Sequence, residues 1–344
     1  MTIQVSRIAS QIQPSPTLAI DAKAKKMRAE GIDVVLFGTG EPDFDTPGFI
    51  KQAAIEAINK GFTKYTPAAG TEELRKAVAA YWQKWNGLDY DFKQVVVSCG
   101  AKHSITNVAL AALNPGDEVL IPAPYWVSYP EIVKIAGAVP VILPTREEDG
   151  YLVDPAALEK AITPRTKLFI LCSPSNPTGA VYPLERLKAV AAVLANHGIL
   201  TLSDEIYDRL LYAGAKHTSL ATLPGMKELV ITVNGTSKTF AMTGWRIGYA
   251  AGPHHVGHRQ HPVACHQQPH QHRAKGRLGR HHRAQRRGRG HARRVRQAAP
   301  GAGEGPQRHP RHPLPGAQGR LLCLPQHPGP AGPLPGGQED SGLG

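Results

Sequence analysis

Six short apolar runs, at residues 95–97, 118–121, 139–143, 167–172, 200–203 and 229–233, are bounded by turn-forming residues and separated by longer mixed stretches. Runs this short and continuous suit strands buried on both faces, because a strand with one wet face alternates apolar and polar residues. Helical spacing fills several of the gaps, most clearly at 183–196. Parallel strands need crossover connections, so this alternation predicts an α/β domain with a mostly parallel sheet covered by helices. Apolar residues also recur at helical spacing over 51–59 and 71–85, where Thr71-Glu72-Glu73-Leu74 offers a capping hydroxyl followed by early acids. The domain so defined runs from about residue 45 to about residue 250.

In open α/β sheets, ligands sit beyond the carboxyl ends of the strands. The polar clusters of this chain fall there: Ser98-Cys99-Gly100-Ala101-Lys102 after the first run, Ser173-Pro174-Ser175-Asn176-Pro177-Thr178-Gly179 after the fourth, and Asp204-Glu205-Ile206-Tyr207 after the fifth. A single pocket would collect them all.

The formal charge of +13 suggests a polyanion partner until its location is read. Residues 1–252 hold 25 Lys and Arg against 24 Asp and Glu, whereas residues 253–344 hold 15 against 3, together with 13 of the 16 histidines. The chain therefore has two compositions. Its four cysteines are too widely spaced for a metal clip or a redox pair. The beginning of the chain has no basic segment followed by an apolar run, and no stretch is long and apolar enough for a membrane helix. A cytoplasmic, soluble protein with no metal and no membrane partner is expected.

Six motifs occur in a telling order: Gly40-Glu41-Pro42-Asp43-Phe44, Lys64-Tyr65, Pro124-Tyr125-Trp126, Ser175-Asn176-Pro177-Thr178-Gly179, Ser203-Asp204-Glu205-Ile206-Tyr207, and Ser237-Lys238-Thr239-Phe240 leading to Gly244-Trp245-Arg246-Ile247-Gly248-Tyr249. Each string is weak alone, but the ordered set resembles the class I pyridoxal-phosphate-dependent aminotransferases of the bacterial aspartate aminotransferase type. That resemblance implies the α/β architecture called fold type I. It divides the chain into an N-terminal arm and small-domain segment (1–44), a cofactor-binding large domain (45–252), and a region (253–344) where the rest of the small domain is expected.

The resemblance also implies roles. Lys238 would form the Schiff base with pyridoxal 5'-phosphate and, once freed, carry the proton that leaves the substrate α-carbon. Asp204 would hold the protonated pyridine nitrogen, Asn176 and Tyr207 would donate to the phenolic oxygen, and Trp126 would stack on the ring. Gly100, Ala101 and Lys102, where a strand gives way to a helix, would cradle the phosphate together with Arg246 and Ser237. Tyr65 would reach the phosphate of a neighbouring subunit, which implies a homodimer. Gly40, Trp126, Asn176 and Lys102 would line the substrate, with Ser15 and Thr17 near Lys102. The expected reaction moves an amino group from an L-amino acid, aspartate first, to 2-oxoglutarate. An aromatic or prephenate aminotransferase, or another fold-type I activity, shares the same cofactor residues.

After Ala250-Ala251-Gly252-Pro253 the family pattern stops, and His, Arg, Gln, Gly and Pro follow without periodicity. A basic arm for nucleic acid is one reading. A shifted reading frame is the favoured one. Residues 266–275 back-translate so that a one-nucleotide shift gives Thr-Ser-Asn-Pro-Thr-Ser-Ile-Ala-Gln, and residues 318–323 shift the same way to Lys-Gly-Ala-Phe-Tyr, both similar to the family at those places. On that reading the tail is disordered, nucleic acid is not a partner, and the family's arginine for the substrate α-carboxylate has no counterpart in this chain.

Overall fold

The computed structural model describes residues 4–35 and 40–253. The expectations placed on residues 254–344 lie outside the described residues.

Seven strands form one sheet: β1 (Val95–Ser98), β2 (Glu118–Ala123), β3 (Val139–Pro144), β4 (Thr166–Cys172), β5 (Leu200–Asp204), β6 (Val230–Gly235) and β7 (Gly248–Ala251). Their order is β1-β7-β6-β5-β4-β2-β3. β7 runs antiparallel to both neighbours, pairing Val95 with Ala251 on one side and Thr232 with Ala251 on the other. The pairs β2–β3, β2–β4, β4–β5 and β5–β6 are parallel. All six strands expected from the apolar runs are present. β7 was not anticipated as a strand, because its Gly-Tyr-Ala-Ala sequence lacks the β-branched residues that mark one.

Among the described residues, eight α-helices accompany the sheet: α1 (Arg7–Ser10), α2 (Pro16–Ala29), α3 (Gly48–Asn59), α4 (Glu72–Asn86), α5 (Ala101–Ala112), α6 (Ser128–Ile135), α7 (Pro155–Ala161) and α8 (Leu184–His197). The start of α4 follows from its sequence: Thr71 Oγ1 accepts the Leu74 N–H at 3.3 Å, and Glu72 and Glu73 face the positive end of the helix.

Successive residues of each central strand feed two separate cores. Leu120, Phe169, Leu171, Val230 and Tyr249 belong to one, with α4, α7 and α8. Val119, Ile121, Leu168, Ile170, Leu202 and Val233 belong to the other, with α5 and α6. Both faces are dry, which is why the strands read as unbroken apolar runs. The first core is anchored by Trp82, fully buried and edge-on to Tyr90 at 5.5 Å and Tyr249 at 5.2 Å. Such ring pairs add about 0.5–1.5 kcal/mol each beyond area burial. One consequence matters for function: the carboxyl ends of β1, β2, β4, β5 and β6 all open on one edge of the sheet, and β7 starts from that edge.

Candidate active site

At the end of β1 the chain turns through Gly100 (φ +92°) into α5. The positive φ at Gly100 favours glycine, and a Cβ there would also displace the Arg246 guanidinium. Gly248, the first residue of β7, lies directly against the backbone of Gly100 and Ala101. The first N–H groups of a helix lack intrahelical acceptors, so Ala101 and Lys102 present donors at a point where the helix dipole is positive. Arg246 completes this anion-seeking corner. It donates to Thr243 O at 2.8 Å and to Cys99 O at 3.4 Å and remains exposed. Lys102 lies over the Trp126 ring at 4.8 Å, and burial, then the Arg246 charge, lower its pKa.

Across the pocket, Asp204 ends β5 at 3% exposure. Its Oδ2 accepts from Tyr129 Oη at 2.7 Å and its Oδ1 from the Ile206 N–H at 3.2 Å. Burial pushes its carboxyl up to about 6; the two hydrogen bonds pull it back and the Glu205 charge pushes it further. Tyr129 meets Trp126 edge-on at 5.4 Å, so Lys102, Trp126, Tyr129 and Asp204 form a continuous wall. Tyr129 was not among the residues expected from the sequence. It lies three positions after Trp126, on the first turn of α6, and the aromatic spacing is its only sequence signal.

Lys238 follows β6. Its amine donates to Gly40 O and lies 5.9 Å from the Tyr207 ring centroid. Burial lowers its pKa, Glu41 opposes this, and Arg246 adds to it. Asn176 Nδ2 and Tyr207 Oη are 3.5 Å apart, so two donors can converge on one oxygen, and burial pushes Tyr207 up to about 12. The segment carrying Gly40 is stapled to the lysine loop. Thr243 Oγ1 donates to Glu41 Oε1 at 2.7 Å, Thr46 Oγ1 to Ala241 O at 2.6 Å, and Trp245 Nε1 to Thr46 Oγ1 at 3.1 Å. Sequence reasoning missed the Thr46 and Trp245 contacts, since they join residues almost 200 positions apart. A cleft of about 510 Å³ opens beside these staples, with Glu41, Phe44 and Trp245 in its walls.

The structure thus brings together Gly100, Ala101, Lys102 and Arg246 at one corner, Trp126 and Asp204 along one wall, and Asn176, Tyr207, Lys238 and Gly40 at the other. Ser237 is buried beside Lys238, with no hydrogen bond from its hydroxyl among the described residues. Tyr65 is 81% exposed, with no hydrogen bond to these groups among the described residues. Ser15 and Thr17 lie at the start of α2, a segment tied to α6 by Gln13 N–H donating to Glu131 Oε2 at 3.1 Å.

A lysine of lowered pKa within reach of the Arg246 charge and of Tyr207, with a buried carboxylate at the same carboxyl edge of an α/β sheet, suits the binding of an anionic, ring-containing cofactor. Residues 32–267 match the family of class I and II aminotransferases, and the chain belongs to that family. It is 53% identical over 254 residues to the bifunctional aspartate aminotransferase and glutamate/aspartate-prephenate aminotransferase of Petunia hybrida, covering 74% of this chain and 53% of that one. It is 50% identical over 261 residues to the aspartate aminotransferase of Geobacillus stearothermophilus, covering 76% and 66%. The solved structure of Thermus thermophilus aspartate aminotransferase with maleate superposes with a TM-score of 0.72 at 48% identity, over 74% of this chain and 66% of that one. The matched part therefore spans about half to two thirds of these relatives, and the α/β architecture is that of fold type I.

Proposed function

We propose that this chain is the cofactor-binding part of a pyridoxal-phosphate-dependent aminotransferase that takes aspartate as amino donor and 2-oxoglutarate as acceptor. The observation that supports this reading is Lys238, whose pKa burial and the Arg246 charge lower and whose amine lies 5.9 Å from the ring of Tyr207, a tyrosine that feels the buried Asp204 charge. The pocket fits the cofactor by its donor set: an anion cradle with a cation at one end, a buried carboxylate at the other, and a lysine between them. Bound there, pyridoxal phosphate supplies an electron-poor ring that accepts the electron pair left when the α-proton departs.

The chain's own residues would do the rest. Ala101 and Lys102 N–H groups with Arg246 hold the phosphate, and Ser237 adds a hydroxyl. Asp204, ionised above about 6, keeps a proton on the ring nitrogen by pairing with it. Asn176 and Tyr207 donate to the phenolic oxygen, and Trp126 covers one ring face. The Lys238 amine, its pKa lowered by burial, removes the proton from the substrate α-carbon. Lys102, near Trp126, faces an acidic substrate side chain, and Gly40 lines the substrate beside Lys238. A homodimer in which Tyr65 reaches a neighbouring subunit's phosphate is supported by the exposure of Tyr65 and of Phe44, at 81% and 79%. We place the protein in the cytoplasm; no helix among the described residues is long and apolar enough to cross a membrane.

Prephenate as an acceptor is a second reading, supported by the activity named for the Petunia hybrida relative. The chain is 1–44, 45–252 and 253–344 in organisation, the last a product of a shifted frame.

Borohydride reduction of the chain mixed with cofactor, followed by peptide mass mapping, tests the assignment. The pyridoxyl-phosphate mass is expected on the peptide carrying Lys238 and is expected to vanish in Lys238→Ala. Label distributed over surface lysines, with Lys238 unmodified, would sink it.

A further inference from the structure

Asp204 and Tyr207 share one turn with two more acids, Glu205 and Asp208, which are 0% and 1% exposed. Two carboxylates three residues apart cannot be buried cheaply without donors or an opposite charge. Asp208 receives neutral donors: Tyr81 Oη at 3.0 Å and Asn86 Nδ2 at 3.2 Å, both from α4. Glu205 is met differently. Its Oε1 accepts from Ser203 Oγ at 2.9 Å and Ser219 Oγ at 2.6 Å, while its Oε2 lies 3.0 Å from His217 Nε2.

The His217 side chain is 6% exposed, its Nδ1 has no hydrogen-bond partner among the described residues, and its Nε2 meets Glu205. The charged groups that face it are Glu205, Asp208 and Arg209; Arg209 is drawn outward over the Trp85 ring at 4.1 Å. Burial by itself lowers the imidazole pKa. The charge and hydrogen bond of Glu205 and the charge of Asp208 outweigh burial, Arg209 opposes them, and the net direction is upward. Glu205 also faces Asp204 and Tyr90, and its charge is one of the influences that raise Asp204.

We propose that His217 is a positioning residue whose buried ion pair with Glu205 holds the 204–208 turn so that Asp204 and Tyr207 are presented to the pocket. This rests on reading that pocket as the pyridoxal phosphate site. A raised histidine pKa makes the stabilisation complete below the unfolded value of about 6.5 and lost as pH rises through the folded value. Once His217 loses its proton, two buried acids remain with no buried cation between them. The turn then relaxes, and the uncompensated Glu205 charge presses on Asp204.

The test uses the full chain, labelled with fluorotyrosine and with carbon-13 histidine, first without cofactor. The Tyr207 fluorine resonance, identified through Tyr207→Phe, is expected to move with the same midpoint as the His217 ring resonance, above about 6.5. In His217→Gln, and in Glu205→Gln should that variant be the better folded, this movement is expected to disappear. A Tyr207 resonance that ignores the His217 titration in the unsubstituted protein overturns the proposal. Cofactor affinity is then measured against pH by absorbance, with about a tenfold loss expected through the same midpoint and a weak, flat profile in His217→Gln. A flat profile in the unsubstituted protein also overturns it. If the resonances move together while no cofactor binds at any pH, the coupling stands and the reading of the pocket fails.

Discussion

Asp204 is a carboxylate that the fold makes hard to ionise. Two hydrogen bonds, from Tyr129 Oη and the Ile206 N–H, are what restrain burial from raising it beyond about 6. In the cofactor-free protein the folded state binds this proton more tightly than the unfolded chain does. The sign follows: Asp204 favours the folded state most at low pH, and that contribution is lost as pH rises from the ordinary carboxyl value towards about 6. Tyr129→Phe removes the stronger restraint. A hydrogen bond to a charged group contributes about 1.5–3 kcal/mol, so the carboxyl midpoint is expected to climb by about tenfold or more in proton affinity. Carboxyl carbon-13 titration of the cofactor-free protein measures this, and an unchanged midpoint would show that Tyr129 has no hold on Asp204. Asp204 was legible in the sequence because a strand and a motif both marked it. Tyr129 was not, because its partner is 75 residues away and a tyrosine in an aromatic-rich turn carries no sign of which carboxylate it will meet.

At the scale of elements, the proposed phosphate corner is built where β1, α5 and β7 meet, and its tolerance is set by backbone contact. Gly248 leaves no space for a methyl group, because Gly100 and Ala101 occupy that volume with main-chain atoms that cannot rotate aside. Gly248→Ala must push α5 away from β7, and overpacking of this kind costs about 1–3 kcal/mol. Thermal denaturation is expected to show a lowered midpoint, with cofactor affinity falling further than stability does, since the displaced groups are the Ala101 and Lys102 N–H donors. A variant with normal melting and normal cofactor binding would contradict this geometry. The six strands could be read from their apolar runs because the central ones bury two faces; β3, at the edge, carries such a run although Val139 and Ile142 stay exposed. β7 could not, since its pairing partner β1 lies about 150 residues earlier and short Gly-Ala strands are specified by neighbours more than by their own propensity. The staples between the 40–46 segment and the lysine loop were hidden for the same reason: motif order places them in one protein, but only the fold places Thr46 under Trp245.

For the molecule as a whole, the change in composition after residue 252 coincides with the last strand of the sheet. Up to that point acids and bases nearly balance; beyond it, 15 basic residues face 3 acidic ones. On the proposed reading, a protein whose sheet, cores and pocket corner are built by residues before 253 holds the cofactor with what those residues supply. Binding both carboxylates of a dicarboxylic substrate asks for more cationic groups than Lys102 alone provides beside Gly40 and Trp126. The proposed frame shift would therefore separate cofactor binding from substrate binding. Cofactor binding is expected in the chain as it stands, and turnover is expected to need the restored frame. Correcting the frame by one nucleotide near codon 253 is expected to yield a protein that transaminates aspartate with 2-oxoglutarate at least about a hundredfold faster, the factor that about 2.7 kcal/mol of lost substrate positioning would remove. A coupled assay of oxaloacetate formation on both proteins, with cofactor content determined for each, makes the comparison. Equal rates would show that the tail supplies substrate contacts itself, and a corrected protein that takes up no pyridoxal phosphate would remove the aminotransferase reading altogether.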